Sequence, residues 1–145
     1  MSDTTLPLTA SFHVANIMEQ VERVKKAILD LMQMFSHTEG VAFKVELALE
    51  EALVNAVKHG NKLDETKQVL IECILSHKSV RFEIEDQGEG FNPHELPDPT
   101  EEENIERPCG RGVLLIRSFM DSVQYNERGN KITFEKACET ATAAA

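Results

Sequence analysis

Three glutamates, Glu46, Glu50 and Glu51, and one asparagine, Asn55, interrupt a largely apolar helical segment, VELALEEALVNAVKHGN, at residues 45–61. Glu51 and Asn55 are four residues apart, so a helix places them on one face, one turn from each other. A carboxylate can orient or deprotonate an attacking hydroxyl, and an amide oxygen is a hard, neutral ligand for Mg²⁺. The pair therefore indicates phosphoryl transfer at the mouth of a cleft. The alternative interpretation is that both residues form only the solvent edge of the helix, because this spacing is common by chance.

Two glycine-containing segments follow later in the chain. DQGEGF, at residues 86–91, comes directly after a predicted strand, and Asp86 could accept a hydrogen bond from an exocyclic amine. Gly88 and Gly90 would allow the backbone to approach a ligand closely. GRGVLLI, at residues 110–116, is interpreted as a glycine turn that leads into a helix, where free N–H groups attract anions. Taken singly, each segment is also compatible with an ordinary turn or helix entry, and neither is a complete P-loop or dinucleotide fingerprint.

Hydrophobic periodicity predicts the elements that position these residues. Asn16 is the predicted N-cap of the first helix, with Glu19 at the capping-box position, and Gly60 is the predicted C-terminal cap of the second helix. The residues between about 92 and 108 are polar and rich in proline, so they are expected to form a functional lid or a disordered connection. In chain order, the predicted elements are a strand at 8–14, a helix at 17–35, a helix at 41–59, strands at 69–75 and 80–85, a helix after the glycines at 110–112, and strands at 123–125 and 131–134.

The strands meet as hairpins and the helices flank them, which predicts an α+β fold. The expected architecture is a two-layer sandwich with a mixed, mostly antiparallel sheet and helices on one face. Residues 8–136 are expected to form one domain, and residues 1–7 and 137–145 are expected to be flexible termini.

The charge and composition of the chain exclude several classes of function. A net charge of −10 over 145 residues leaves no basic face for direct nucleic-acid binding, although a nucleotide can still be held by Mg²⁺ and N–H groups. Cys73, Cys109 and Cys138 are widely spaced and form neither a disulfide framework nor a zinc site. The chain has no signal-peptide pattern and no apolar run of ~20 residues. We therefore expect a soluble, cytoplasmic protein without membrane contact.

Together, EEALVNAVKHGN, DQGEGF and GRGVLLIRSFMD resemble the Bergerat-type (GHKL) ATP-binding fold of DNA gyrase, histidine kinases and MutL. In particular, the chain resembles the anti-sigma factor serine/threonine kinases of the RsbW/SpoIIAB type over residues 8–136. This resemblance implies ATP and Mg²⁺ as cofactors. It implies that Glu51 is the catalytic base toward a partner's serine, that Asn55 is the metal ligand, and that Asp86 reads the adenine amino group.

The resemblance also implies roles for the glycine segments. Gly88 and Gly90 would pass under the base, and the phosphates would be cradled by Gly110, Arg111, Gly112 and Val113. Some members of the family carry an arginine where this chain has Pro108, and Arg107 is then a candidate phosphate contact. His59, Gly60 and Asn61 are expected to shape the site without a catalytic role, and Glu46 and Glu50 are expected to be solvated or structural.

The partners implied by the resemblance are a STAS-domain anti-anti-sigma protein, which would be phosphorylated, and a sigma factor, which would be sequestered. A homodimer is one of the oligomeric states left open. Two other functions also stay open at this point. One is an ATP- or ADP-binding regulatory module that binds partners without phosphorylating them, and the other is an interaction domain with an empty cleft.

Overall fold

Five strands and three α-helices, the second extended by a π-helical segment, make up the part of the chain that the structure describes. The structure, a computed structural model, describes residues 6–35, 37, 39–89 and 108–138, and for residues 108–113 only the backbone. The elements are β1 (Leu8–Ala15), α1 (Met18–Met32), α2 (Glu39–Val54), the π-helical segment (Asn55–Gly60), β2 (Gln68–Leu75), β3 (Ser79–Glu85), α3 (Pro108–Phe119), β4 (Ser122–Tyr125) and β5 (Lys131–Ala137).

The strands form one sheet in the order β1-β2-β3-β5-β4, and every neighbouring pair is antiparallel. Alternate strand residues point into one core; Phe82 and Phe134 are paired across β3 and β5 with ring centroids 5.4 Å apart. Ile28, Leu49 and Ile116, one from each helix, belong to the same buried cluster. The predicted α+β two-layer sandwich is confirmed, and the sheet is antiparallel in all its described pairings rather than mixed.

The start of α1 differs from the predicted cap. Ile17 occupies the N-cap position without a side-chain hydrogen bond. Asn16 is 2% exposed, and its Nδ2 donates to the backbone oxygens of Asp64 at 3.1 Å and Val57 at 3.4 Å. Glu19 pairs with Arg23 at 3.1 Å instead of closing a capping box. The capping prediction was wrong because long-range partners hold the Asn16 amide.

The end of the second helix also differs from its prediction. α2 begins at Glu39 and continues beyond Val54 as the π-helical segment, in which the backbone N–H of Asn61 donates to Ala56 at 2.8 Å, five residues back. Gly60 does not adopt a positive φ, whereas Lys62 and Leu63 do, at 52° and 62°. Gly60 is the last helical residue and Asn61 is the C-cap, so the prediction of Gly60 as the C-terminal cap was wrong by one residue.

α3 begins earlier than the glycine pattern suggested. Its first residue is Pro108, so Gly110 and Gly112 lie within the first turns of the helix and not in a turn before it. Proline is well suited to a first helical position because its fixed φ is helical and its missing N–H would have no partner there. The predicted lid, apart from Pro108, lies outside the described residues, as do Gly90 and Arg107.

The predicted domain bounds, residues 8–136, stay a prediction, and the outermost described strands lie close to them. β1 begins at Leu8, and β5 ends at Ala137, one residue beyond the predicted boundary. The remaining parts of the predicted termini, residues 1–5 and 139–145, lie outside the described residues. Among the helices that the structure describes, none is both long and apolar enough to cross a membrane.

Candidate active site

Glu51 and Asn55 lie where α2 passes into the π-helical segment. Both side chains are half-buried, and neither makes a hydrogen bond to another described residue. The residues that anchor this stretch are buried in the core: Ala52, Leu53, Ala56 and Val57. A well-packed helix thus presents a carboxylate and an amide whose polar atoms have no protein partner among the described residues. Such groups are available to bind a ligand.

Glu50 differs from its neighbour Glu51 because it has a protein partner. Its carboxylate accepts a hydrogen bond from the Lys25 ammonium group at 2.7 Å, and Lys25 also lies 3.1 Å from Glu22. Burial has the largest single effect and raises the pKa of Glu50, but the hydrogen bonds with Lys25 and Glu22 and the charges of Lys25 and Lys58 together outweigh it and lower that pKa. Glu50 therefore ties α1 to α2, and Glu46 is exposed, so both have the structural or solvated positions expected of them.

Asp86 follows β3 and is held in place through its backbone. Its N–H donates to the Asn130 carbonyl at 2.9 Å, and the Asn130 Nδ2 donates back to the Asp86 carbonyl at 2.9 Å. The Gly88 N–H donates to the carboxylate Oδ1 at 2.8 Å. Burial raises the pKa of the Asp86 carboxyl, against the opposing effects of Gly88 and the Arg128 charge. Because no described residue donates to Oδ2, this carboxylate can still accept a hydrogen bond from a ligand.

The end of the π-helical segment lies directly against the turn that carries Asp86. A Cβ atom added to Gly60 would lie 2.7 Å from Asp86 Oδ1 and even closer to Oδ2, and a Cβ added to Gly88 would lie 2.6 Å from the Gly60 carbonyl carbon. Only glycine fits at either position without a shift of the backbone or the carboxylate. This contact links the helix of Glu51 and Asn55 to Asp86.

Several residues around this turn were missed by sequence reasoning. Arg128 Nη2 donates to the Gly88 carbonyl at 2.9 Å. Asn130, 7% exposed, holds the Asp86 backbone through two hydrogen bonds, one to its own carbonyl and one from its side-chain Nδ2. Gln87 Oε1 accepts the backbone N–H of Gln68 at 2.7 Å. The sequence indicated residues 127–130 only as a hairpin connection. The contact from Arg128 to Gly88 spans 40 residues, and no local pattern predicts it.

α3 packs against α2 and against the π-helical segment. This contact places the helix that begins with the predicted phosphate-binding residues beside the helix of Glu51 and Asn55. The N–H groups at the start of an α-helix have no partner within the helix, so the backbone of residues 109–111 can offer donors to an anion. The roles predicted for Gly110, Arg111, Gly112 and Val113 fit this placement and remain predictions.

The described donors and acceptors fit a nucleotide with Mg²⁺. Asp86 offers an acceptor suited to an amine, and the Asn55 oxygen suits a hard cation. The described residues contain no group of three or more His, Cys, Asp or Glu side chains that could hold a metal ion by themselves. A magnesium ion here would take most of its remaining ligands from phosphate oxygens and water, which is its usual behaviour in nucleotide sites.

Comparison with known proteins assigns the chain to a family. The sequence profile of the histidine kinase-like ATPase domain matches residues 14–136. The match covers most of the chain, and the protein therefore belongs to the histidine kinase-like ATPase family. The resemblance inferred from the three motifs is confirmed at this level.

Several relatives are regulators of sigma factors by name. The chain is 35% identical over 102 residues to the anti-sigma F factor of Clostridium perfringens, with 66% of this chain and 72% of that protein covered. It is 26% identical over 132 residues to the anti-sigma F factor of Oceanobacillus iheyensis, with 87% and 90% covered. It is also 26% identical over 102 residues to the serine-protein kinase RsbW of Listeria monocytogenes, with 63% of each chain covered.

A solved structure shares the fold. The crystal structure of the RsbU and RsbW domains of a Mycobacterium tuberculosis protein aligns with a TM-score of 0.61 at 14% identity. The alignment covers 94% of this chain and 34% of that chain. At this identity the likeness shows the fold alone, and it supports the two-layer arrangement of sheet and helices.

Proposed function

We propose that this protein is an ATP-dependent serine/threonine protein kinase that acts as an anti-sigma regulatory factor. Its substrate would be a STAS-type anti-anti-sigma protein, and it would sequester a sigma factor. The observation that supports this most directly is the contact of Gly60 with the Asp86 turn. Through this contact the Asp86 carboxylate, the proposed acceptor for the base, lies next to the end of the helix that carries Glu51 and Asn55.

Each site residue has a chemical part in this proposal. Asp86 accepts a hydrogen bond from the adenine amino group, and Gly88 lets the backbone lie beneath the base. Asn55 is a ligand for Mg²⁺, which would neutralise phosphate charge when bound. Glu51 orients the partner's serine hydroxyl and accepts its proton. The N-terminal backbone of α3 stabilises phosphate oxygens.

The names of the relatives support the choice of partners. Two of them are anti-sigma F factors and one is a serine-protein kinase. A protein that combines both activities would bind a sigma factor in one state and phosphorylate its antagonist in another. Such a switch requires a nucleotide site next to a partner surface.

A second function is favoured by one observation in α3. Pro108 is the first residue of this helix, so that position cannot provide a guanidinium for the terminal phosphate. A site that binds phosphate through backbone N–H groups alone could still respond to nucleotide binding. The protein would then be a regulatory module in which ATP or ADP sets partner affinity without phosphoryl transfer.

Transfer of labelled γ-phosphate distinguishes these functions. The purified protein is incubated with Mg-ATP and a STAS-domain protein from the same genome, and phosphoserine on that protein is measured. We expect stoichiometric transfer by the wild type and loss of transfer in Glu51→Gln with nucleotide binding retained. Tight nucleotide binding without transfer to any such partner would favour the regulatory module. Absence of adenine-nucleotide binding would contradict both functions.

A further inference from the structure

A buried amide joins the end of the π-helical segment to the turn that carries Asp86. The Asn61 side chain is 0% exposed. Its Nδ2 donates to the Gln68 carbonyl at 2.9 Å and to Asn16 Oδ1 at 3.1 Å, and its Oδ1 accepts the Gln87 backbone N–H at 2.7 Å. Both amide protons and the oxygen are therefore engaged, each with a different element of the fold.

The position of Asn61 is also fixed through its backbone. Its N–H donates to the Ala56 carbonyl at 2.8 Å, and its carbonyl accepts the Asp64 N–H at 3.0 Å. Asn16, its side-chain partner, donates in turn to Asp64 and Val57. With so many bonds on one residue, Asn61 forms a rigid attachment point at the end of the helix.

The hydrogen bond from the Gln87 N–H to Asn61 holds the turn directly next to Asp86. Gln87 lies between Asp86 and Gly88, so its backbone N–H belongs to the peptide that contains the Asp86 carbonyl. Asn130 holds this turn from the β4–β5 hairpin, and Asn61 holds it from the helix. Removal of the Asn61 oxygen would leave a backbone donor without its partner and would free one side of the turn.

We propose that Asn61 is a positioning residue for base recognition. It holds the Asp86 carboxylate in the position from which that carboxylate selects adenine. This role rests on the proposed nucleotide-binding function. Adenine carries an amino donor where guanine carries a carbonyl acceptor. A carboxylate fixed opposite this position of the base attracts the adenine amino group and repels the guanine carbonyl. Once released, the carboxylate would shift and discriminate less well between the two bases.

The test compares two buried amides of the same network. Asn61→Ala removes the bond to Gln87, whereas Asn16→Ala disturbs the network but leaves that bond in place. Affinities for ATP and GTP are measured by calorimetry for both variants and the wild type at a temperature where each is folded. We expect Asn61→Ala to lower ATP affinity by about tenfold, since small misplacements of a contact group have effects of this size or greater. Its GTP affinity should change by less than about twofold, and Asn16→Ala should keep the wild-type ratio.

A purely structural role predicts a different result. Both variants would then lower the melting temperature and leave the ratio of ATP to GTP affinity unchanged, and that outcome would overturn the role of Asn61. Failure of the wild type to bind either nucleotide would instead overturn the proposed function, and this role with it. The two failures are therefore distinguishable in one experiment.

Amide hydrogen exchange tests the same idea in the wild type if Asn61→Ala does not fold. Gln87 lies beyond the end of β3, so the bond to Asn61 is what should protect its N–H. We expect the ligand-free protein to protect the Gln87 amide as strongly as the neighbouring β3 amides. Exchange at the rate of an open loop would show that Asn61 does not hold the turn, and the proposal would be wrong.

Discussion

The Glu50 carboxylate accepts a hydrogen bond from the Lys25 ammonium group at 2.7 Å, whereas Glu51, the next residue of the same helix, bonds to no described residue. The two neighbours have the same functional group and face different surroundings. Each can therefore serve as the control for the other.

Glu51→Gln should abolish phosphoryl transfer to the STAS-domain partner and leave Mg-ATP binding within about threefold of the wild type. The amide keeps the shape of the side chain but cannot accept the serine proton. Glu50→Gln should keep transfer and destabilise the fold by less than about 1 kcal/mol, because the ion pair with Lys25 is partly solvated. Transfer assays and urea unfolding of both variants check this. Full transfer by Glu51→Gln would remove Glu51 from the mechanism.

Asn55→Ala should make nucleotide binding independent of magnesium. The wild type is expected to lose ATP affinity when EDTA replaces Mg²⁺, whereas the variant should be weak in both conditions. A loss of about tenfold would correspond to ~1.4 kcal/mol. The folded state should be little affected because the Asn55 amide has no described partner. Calorimetry with and without Mg²⁺ measures the effect, and Lys58→Ala, an exposed change on the same segment, is the control. An Asn55→Ala variant that retained the full magnesium effect would contradict the metal role.

Gly60→Ala should weaken ATP binding and destabilise the protein. The added methyl group would collide with the Asp86 carboxylate, and relief of such overpacking typically costs about 1–3 kcal/mol. Gly40→Ala is the matched control because Gly40 is an exposed position in the first turn of α2. It should be neutral or slightly stabilising and should bind ATP normally. Thermal unfolding with and without ATP tests both variants. Wild-type nucleotide affinity in Gly60→Ala would show that the contact with Asp86 is not required.

Asp86→Asn should leave the stability of the ligand-free protein unchanged or higher, and it should abolish ATP binding. Burial raises the pKa of the Asp86 carboxyl above its ordinary value of 3.8, so the folded protein binds more protons than the unfolded chain in that pH range. Stability therefore falls as the pH rises through this range, and at neutral pH the ionised carboxylate opposes folding. The asparagine oxygen can still accept the Gly88 N–H.

We therefore expect the ligand-free Asp86→Asn protein to melt at the same temperature as the wild type at pH 7, or higher. Added ATP should no longer raise that temperature, because an amide does not provide the ionised acceptor. Differential scanning calorimetry at pH 7 and at pH 4 measures both effects, and the difference between wild type and variant should shrink at pH 4. A strongly destabilised variant at pH 7 would contradict the assigned effect of burial.

The sequence was most informative where the pattern is local and repeated. Apolar strand patterns located β2 and β3, and two short motifs, EEALVNAVKHGN and DQGEGF, located Glu51 and Asn55 on the second helix and Asp86 directly after β3. The role of Gly60 could not be predicted, because a left-handed helix cap and a close backbone approach both require glycine. Asn16 was wrongly predicted as an N-cap, and Asn61 was expected only to shape the site, without a specific role. Asn16 and Asn61 bond to each other across 45 residues of sequence, and such a distant contact leaves no periodic pattern.

The π-helical segment makes the site sensitive to deletion as well as to substitution. Its hydrogen bonds reach five residues back instead of four, so it accommodates one residue more than a continuous α-helix would over the same path. Deletion of one residue between positions 55 and 60 would remove this extra residue and allow regular α-helical bonding over the same path, with Gly60 and Asn61 kept near Asp86 and Gln87. Deletion of a second residue would have no extra residue to remove, so it would rotate the residues after it by ~100° about the helix axis and turn Asn61 away from Gln87. The number of residues in this segment therefore determines the geometry of the site as much as their identities do.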